Sequence, residues 1–189
     1  VCHMPILGDR EASGASRRTY VPERCGACYR ARKMVVSEQA PSGVEELFAT
    51  LRSYLPEDRV AGIREAYEFA FRCHDGQLCA SGEPYITHPI AVAHLVAELR
   101  MDVATVRAAL LHDVVEDTTV AVSEIERRFS PEIAHIVDGV TKLDKIKFSS
   151  NEHKQAENFR KMLVAMSKDI RVLLIKLADR LHNMTTLQH

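Results

Sequence analysis

From about residue 42 onward, apolar residues recur at the three- and four-residue spacing of a helix rather than the alternate spacing of a strand. Val44, Leu47, Leu51 and Leu55 form one such stripe, and Ser42-Gly43-Val44-Glu45 ahead of it has the form of a capping box. Pro56 restarts the chain at a first helical turn, and a second helix is predicted to run to about Cys73. His74 to Glu83 reads as a polar loop with two glycines, followed by a third helix from His88 to Arg100. Asp102 is the expected cap of a fourth helix, which continues through the apolar run Val106-Arg107-Ala108-Ala109-Leu110-Leu111. Ser123 to Glu126 has the form of a second capping box, and Ser130-Pro131 places an N-cap before proline at the first helical position. Lys142 to Ser150 reads as a loop carrying three lysines, and helices from Glu152 to Met166 and from Asp169 to Leu187 complete the set. Valine and isoleucine are plentiful but helically spaced, and no internal repeat or low-complexity tract interrupts them. The expected architecture is an all-α helical bundle.

Residues 1–41 differ: they are rich in Arg, Ser, Gly and Pro and lack a sustained apolar period, so a disordered leader is expected there. Met34 is a candidate start, with the upstream residues an extension. Cys25-Gly26-Ala27-Cys28 is half of a zinc site or a redox pair, and Cys2 and His3 offer two further ligands, but no second pair follows at zinc-ribbon spacing.

The 189 residues suffice for one domain with a sizeable core. A net charge of −1 gives no general field to attract nucleic acid, so a nucleotide has to be held by a local basic patch. No apolar run reaches the ~18 residues of a membrane span, and the first residues lack the apolar segment of a secretory signal. Five cysteines without regular spacing do not make a disulfide framework, and the cytoplasm is the expected compartment.

The candidate chemistry follows the fourth helix, at His112-Asp113-Val114-Val115-Glu116-Asp117-Thr118. If the helix continues through it, Asp113 and Asp117 lie four residues apart, as do His112 and Glu116, so each pair stacks on one side. An acidic cluster entering an apolar core costs several kcal/mol unless a positive group meets it, which a metal ion does. The alternative is a helix end whose acids face water. Two further stretches bear on that choice. Tyr85-Ile86-Thr87-His88-Pro89 puts a histidine at a helix start, and Leu177-Ala178-Asp179-Arg180-Leu181-His182-Asn183 puts an aspartate late in an apolar helix. Val172, Leu173, Leu174, Ile175 and Leu177 are expected to surround Asp179, leaving metal ligation, a buried ion pair or a helix cap as its roles. Two histidines and two aspartates with positions left for water suit Mn²⁺, Fe²⁺ or Zn²⁺.

The longer strings carry a resemblance. Gly82-Glu83-Pro84-Tyr85-Ile86-Thr87-His88-Pro89, the stretch from Leu111 to Thr118, Val137-Asp138-Gly139-Val140-Thr141-Lys142-Leu143, and the stretch from Lys176 to Met184 follow in order. They resemble the HD phosphohydrolase superfamily, and within it the N-terminal hydrolase domain of the RelA/SpoT family, which makes and degrades the alarmone (p)ppGpp. The likeness runs from about Ser42 to the last residue, so an HD-type helical bundle over 42–189 is expected. It implies a single Mn²⁺ on His88, His112, Asp113 and Asp179, with Glu116 and Asp117 orienting a water molecule or taking its proton. It implies nucleotide contacts at Ser81, Asn183 and Thr186, and leaves His182 as a supporting or structural residue. Lys142, Lys145 and Lys147, followed by Arg160 and Lys161, are candidates for a pyrophosphate route; a solvated charged face is the plainer reading of any one of them. The implied reaction is hydrolysis of the 3′-pyrophosphate of (p)ppGpp to GDP or GTP and pyrophosphate. The other readings are an HD phosphohydrolase acting on another phosphorylated nucleotide, and a non-catalytic regulatory module.

The sequence departs from the family on the substrate side. Cys79-Ala80 stands where the family usually has a basic doublet, and Asn183-Met184-Thr185-Thr186 where Asn-Met-Arg-Thr is usual. Neither Cys nor Ala can stack on a purine or carry charge as arginine does, so nucleotide recognition, not metal binding, is expected to be altered. The last residue, His189, lies ten positions after Asp179, whereas the family's hydrolase domains continue into further helices, a synthetase domain and regulatory domains. The expectation is a C-terminally truncated domain without (p)ppGpp synthesis, with any ribosome contact belonging to the absent domains.

Overall fold

A computed structural model of the chain describes residues 41, 43–79, 81–144 and 169–186. The expectations for the leader, for Cys25 and Cys28, for Lys145, Lys147, Arg160 and Lys161, and for the helix over 152–166 lie outside the described residues. The described elements are α1 (Val44–Arg52), α2 (Glu57–Cys73), α3 (Thr87–Glu98), α4 (Val103–Leu111), α5 (Val114–Asp117), α6 (Val122–Arg128), α7 (Pro131–Asp144) and α8 (Ile170–Thr185). The described residues contain no strand, only an isolated antiparallel bridge between Leu78 and Pro84, so the fold is the expected all-α bundle.

Local chemistry accounts for several helix starts. Asp102 Oδ1 accepts from the Thr105 backbone N–H at 3.0 Å, Ser130 Oγ from Ile133 at 3.2 Å, and Asp169 Oδ1 from Arg171 at 3.0 Å. Each satisfies one of the donors that a first turn leaves unpaired. Two capping boxes take a different register. The N-cap of α1 is Gly43, whose φ of 85° suits glycine and whose carbonyl accepts from Leu47 at 3.0 Å. The N-cap of α6 is Ala121, whose carbonyl accepts from Glu124, so Ser123 lies inside the first turn. The carboxylate of Glu124 turns forward onto Arg127. Lys142 is in α7 and not in a loop, because the helix runs on to Asp144 and the ammonium pairs with Asp138 one turn back.

Helix α4 is the centre of the bundle and packs against α2, α3, α7 and α8. Its sequence explains this, since a helix apolar on nearly every side has to be covered on nearly every side. Val106, Ala108, Ala109, Leu110 and Leu111 are all fully buried. Helices α7 and α8 approach closely at Gly139, where a Cβ would stand 2.7 Å from Val172 Cγ2. Valine has a stiff branched side chain that cannot yield there. Gly139→Val is therefore expected to destabilise the fold by about 2 kcal/mol, the middle of the range for overpacking. Urea unfolding checks this, and an unchanged midpoint would contradict the close approach of α7 and α8.

Candidate metal centre

The buried helix α4 delivers His112 into the core at its C-terminal end. The hydrogen-bond ladder stops at Leu111 and restarts at Val114, so His112 and Asp113 form a turn between α4 and the four-residue α5. This corrects the single continuous helix read from the sequence. The spacing argument survives in part, because Asp117 N–H still bonds the Asp113 carbonyl at 2.8 Å. The Asp113 and Asp117 carboxylates each lie 2.8 Å from the Tyr85 hydroxyl. Glu116, one residue before, is exposed on α5.

His88 comes from the first turn of α3 and Asp179 from the third turn of α8. With His112 and Asp113 they are buried, Asp113 the least so at 9% exposure. His88 Nε2 is 3.2 Å from Asp179 Oδ1 and 3.5 Å from Asp113 Oδ2, and His112 Nε2 is 3.0 Å from Asp113 Oδ1. One donor atom each from His88, His112 and Asp179 lies within 4.8 Å of the others, and Asp113 joins them through its contacts with both histidines. Donor atoms sharing one first-row ion, with bonds of about 2.1 Å, stand about 3.0–3.4 Å apart.

Hydrogen bonding orients the rings. His112 Nδ1 lies 2.8 Å from the Ala109 carbonyl, which can only accept, so Nδ1 carries the hydrogen. In the neutral ring Nε2 is then a lone pair; it is fully buried, has no hydrogen-bond partner, and faces a carboxylate oxygen. Two acceptors at that separation repel unless a cation lies between them, and this donor set fits a divalent ion. With Nε2 of His88 turned to the same centre, its Nδ1 donates to Nδ1 of His182 at 2.8 Å. The Asp179 carboxylate accepts from Lys176 Nζ and, at 2.6 Å, from Asn183 Nδ2. Burial by itself raises the Asp179 carboxyl, but the polar groups around it, the Lys176 ammonium among them, outweigh it and hold it well below the usual range. Burial, then the two carboxylates, push the Tyr85 hydroxyl far above the ordinary phenol value, which keeps it a proton donor. Burial also raises the Asp117 carboxyl, against the lowering effect of the Tyr85 bond.

The structure thus brings His88, His112, Asp113 and Asp179 together, with Asp117 beside them and Asn183 on Asp179. Ser81 and Thr186 are exposed, and the Thr186 hydroxyl bonds the backbone carbonyls of His182 and Asn183. Leu177 turns outward at 53% exposure and does not line Asp179 as expected. Sequence reasoning missed Tyr85, Lys176, His74 and Gln77. Tyr85 had a signal, since it lies three residues before His88, about one turn upstream of a ligand. Lys176 had one too, three residues before Asp179 on the same helix.

Comparison with known proteins gives the chain its relatives. A family model described as HD domain matches residues 66–189. Over 143 residues the chain is 54% identical to the bifunctional (p)ppGpp synthase/hydrolase SpoT of Escherichia coli (strain K12), covering 76% of this chain and 20% of that protein. Over 136 residues it is 53% identical to the guanosine-3′,5′-bis(diphosphate) 3′-pyrophosphohydrolase of Vibrio cholerae, covering 72% and 19%. The chain thus spans about a fifth of the length of these curated relatives. A solved structure described as a metazoan ortholog of SpoT that hydrolyzes ppGpp and plays a role in starvation responses superposes with a TM-score of 0.54 at 33% identity, covering 68% of this chain and 71% of that one. The family match begins in the middle of α2 and takes in every helix that carries a candidate ligand, so the chain belongs to the HD domain family.

Proposed function

We propose that the chain hydrolyses the 3′-pyrophosphate of (p)ppGpp, with one divalent ion held by His88, His112, Asp113 and Asp179. The observation that carries the metal assignment is the buried, unpartnered Nε2 of His112 facing the Asp113 carboxylate. The substrate rests on the activity for which the V. cholerae and metazoan relatives are named. The nitrogen and oxygen donors suit Mn²⁺, which the family resemblance favours over Fe²⁺ or Zn²⁺.

A divalent ion held by these four residues would supply Lewis acidity and make water more acidic. The protein supplies orientation and proton transfer. Ala109, Tyr85 and Lys176 fix His112, Asp113 and Asp179, and His182 fixes His88. A water oxygen attacks the phosphorus joined to the 3′-oxygen; the bond to that oxygen breaks, pyrophosphate leaves, and the 3′-oxygen takes a proton from solvent and ends as a hydroxyl. Asp117, tied to Tyr85, orients the water, and Glu116 at the exposed edge takes its proton. Ser81, Asn183 and Thr186 contact the nucleotide, and Lys142 and Lys145 guide the pyrophosphate. No helix among the described residues is long and apolar enough to cross a membrane, and a small nucleotide needs no membrane partner. Incubation with Mn²⁺ and ppGpp tests the reading: pyrophosphate release supports it, and binding without release would make the domain a non-catalytic module.

Cys79-Ala80 bears on which nucleotide is accepted. Cys79 lies on a tight loop in which its N–H bonds the Glu83 carbonyl at 2.8 Å and Gly82 N–H bonds the Cys79 carbonyl at 2.9 Å. A guanidinium stacked on a base is worth about 0.5–2 kcal/mol, and a charge-assisted phosphate contact about 1.5–3 kcal/mol. Cys79→Arg combined with Ala80→Lys is expected to lower KM for ppGpp about tenfold while changing kcat less, because the restored contacts act on ground and transition state alike. An unchanged KM would mean that Arg72 or a lysine already supplies them.

A further inference from the structure

Beside the metal centre lies a buried group that the mechanism above does not use. His74 caps the C-terminal end of α2, is 3% exposed, and stacks on Tyr85 with ring centroids 4.9 Å apart. Its Nδ1 lies 2.8 Å from Gln77 Oε1. Gln77 Nε2 in turn donates to the Asp117 carbonyl at 3.2 Å, which fixes which end of the amide faces the histidine. His74 Nδ1–H is therefore the donor. The backbone ties Gln77 and Tyr85 side by side, since Tyr85 N–H bonds the Gln77 carbonyl at 2.9 Å, next to the Leu78–Pro84 bridge.

These contacts converge on α5. A four-residue helix has too few internal bonds to hold itself, and the carbonyls of its last turn lack helical partners. Gln77 satisfies the carbonyl of the last residue of α5, and Tyr85 engages the carboxylates of Asp113 and Asp117. We propose that His74 and Gln77 are positioning residues: His74 orients the Gln77 amide, which clamps the C-terminal end of α5 and so sets the direction of Glu116 and Asp117. The role rests on the assignment of those two acids to water activation; the clamp itself does not. It also explains why a histidine outside the ligand strings is buried against the site.

The test separates the clamp from plain packing. Gln77→Leu keeps the bulk and removes both hydrogen bonds. It is expected to lower kcat for ppGpp about 10–100-fold, the usual scale for a group that holds a metal or catalytic residue in place, with KM changed less than about twofold. Amide exchange measured by mass spectrometry over 113–118 should accelerate at least about tenfold, with α3 and α4 unchanged. His74→Asn retains a donor near the Nδ1 position, whereas His74→Phe retains the ring on Tyr85 and loses the donor. The clamp predicts that Asn recovers most of the kcat and Phe does not. Recovery by Phe and not by Asn would show that only the stack matters and would overturn the proposal, as would unchanged exchange over 113–118 in folded Gln77→Leu. If the wild-type chain leaves ppGpp intact, the proposed function falls, and the exchange measurement still decides the clamp.

Discussion

His112→Ala is expected to lose the bound ion and, with it, turnover. The substitution removes one of four candidate donors, all of them buried. It also leaves the Asp113 carboxylate without the imidazole nitrogen that faced it at 3.0 Å. Loss of a group that merely supports a ligand typically costs 10–100-fold in metal affinity; loss of a ligand itself is expected to exceed about 100-fold. Elemental analysis after gel filtration should find about one divalent ion per wild-type chain and less than about a tenth of that in the variant. His112 is itself fully buried, so the variant also leaves a cavity at the end of α4, and circular dichroism is the control that the fold persists. Full metal retention by a folded His112→Ala protein would sink the assignment of the centre.

The candidate ligands were legible in the sequence because each string joins a residue type to a position on a helix. Burial of the run before His112 followed from its composition, and the order of His88, His112, Asp113 and Asp179 made one centre the economical reading. What was not legible depends on how the strings meet. An apolar run shows that a helix is buried but not where its ladder ends, so the break at His112 and Asp113 escaped notice. The His88–His182 contact joins residues 94 positions apart and exists only because α8 lies across α3. The Gln77 clamp is hidden for a related reason, since a polar loop with two glycines gives no period from which to read direction. At α1 and α6 the capping boxes were real patterns in the wrong register, because the helix opens on the Gly43 carbonyl, one residue after Ser42, and on the Ala121 carbonyl, two residues before Ser123. Lys142 was read as loop because charge clusters there, yet its pairing with Asp138 extends the helix.

Glu116→Gln is expected to keep the metal and the fold and to lower kcat about 10²–10⁴-fold, the range of a positioned acid–base group. Of the two carboxylates after Asp113 it gives the cleaner test. Asp117 is half-buried and bonded to the Tyr85 hydroxyl, which also holds Asp113, so changing it would disturb a candidate ligand along with the proton transfer. Glu116 is exposed, and a substitution at such a position usually shifts stability by no more than about 0.5 kcal/mol. The amide of glutamine has nearly the shape of the carboxylate and can still hydrogen-bond a water molecule, but it cannot take a proton from it. A role in orientation alone would therefore survive the change, and a role as general base would not. The measurements are metal content, which should stay at one ion per chain, and steady-state release of pyrophosphate, in which KM should hold while kcat falls. Turnover within about twofold of wild type would remove Glu116 from proton transfer and leave Asp117 as the group that activates water.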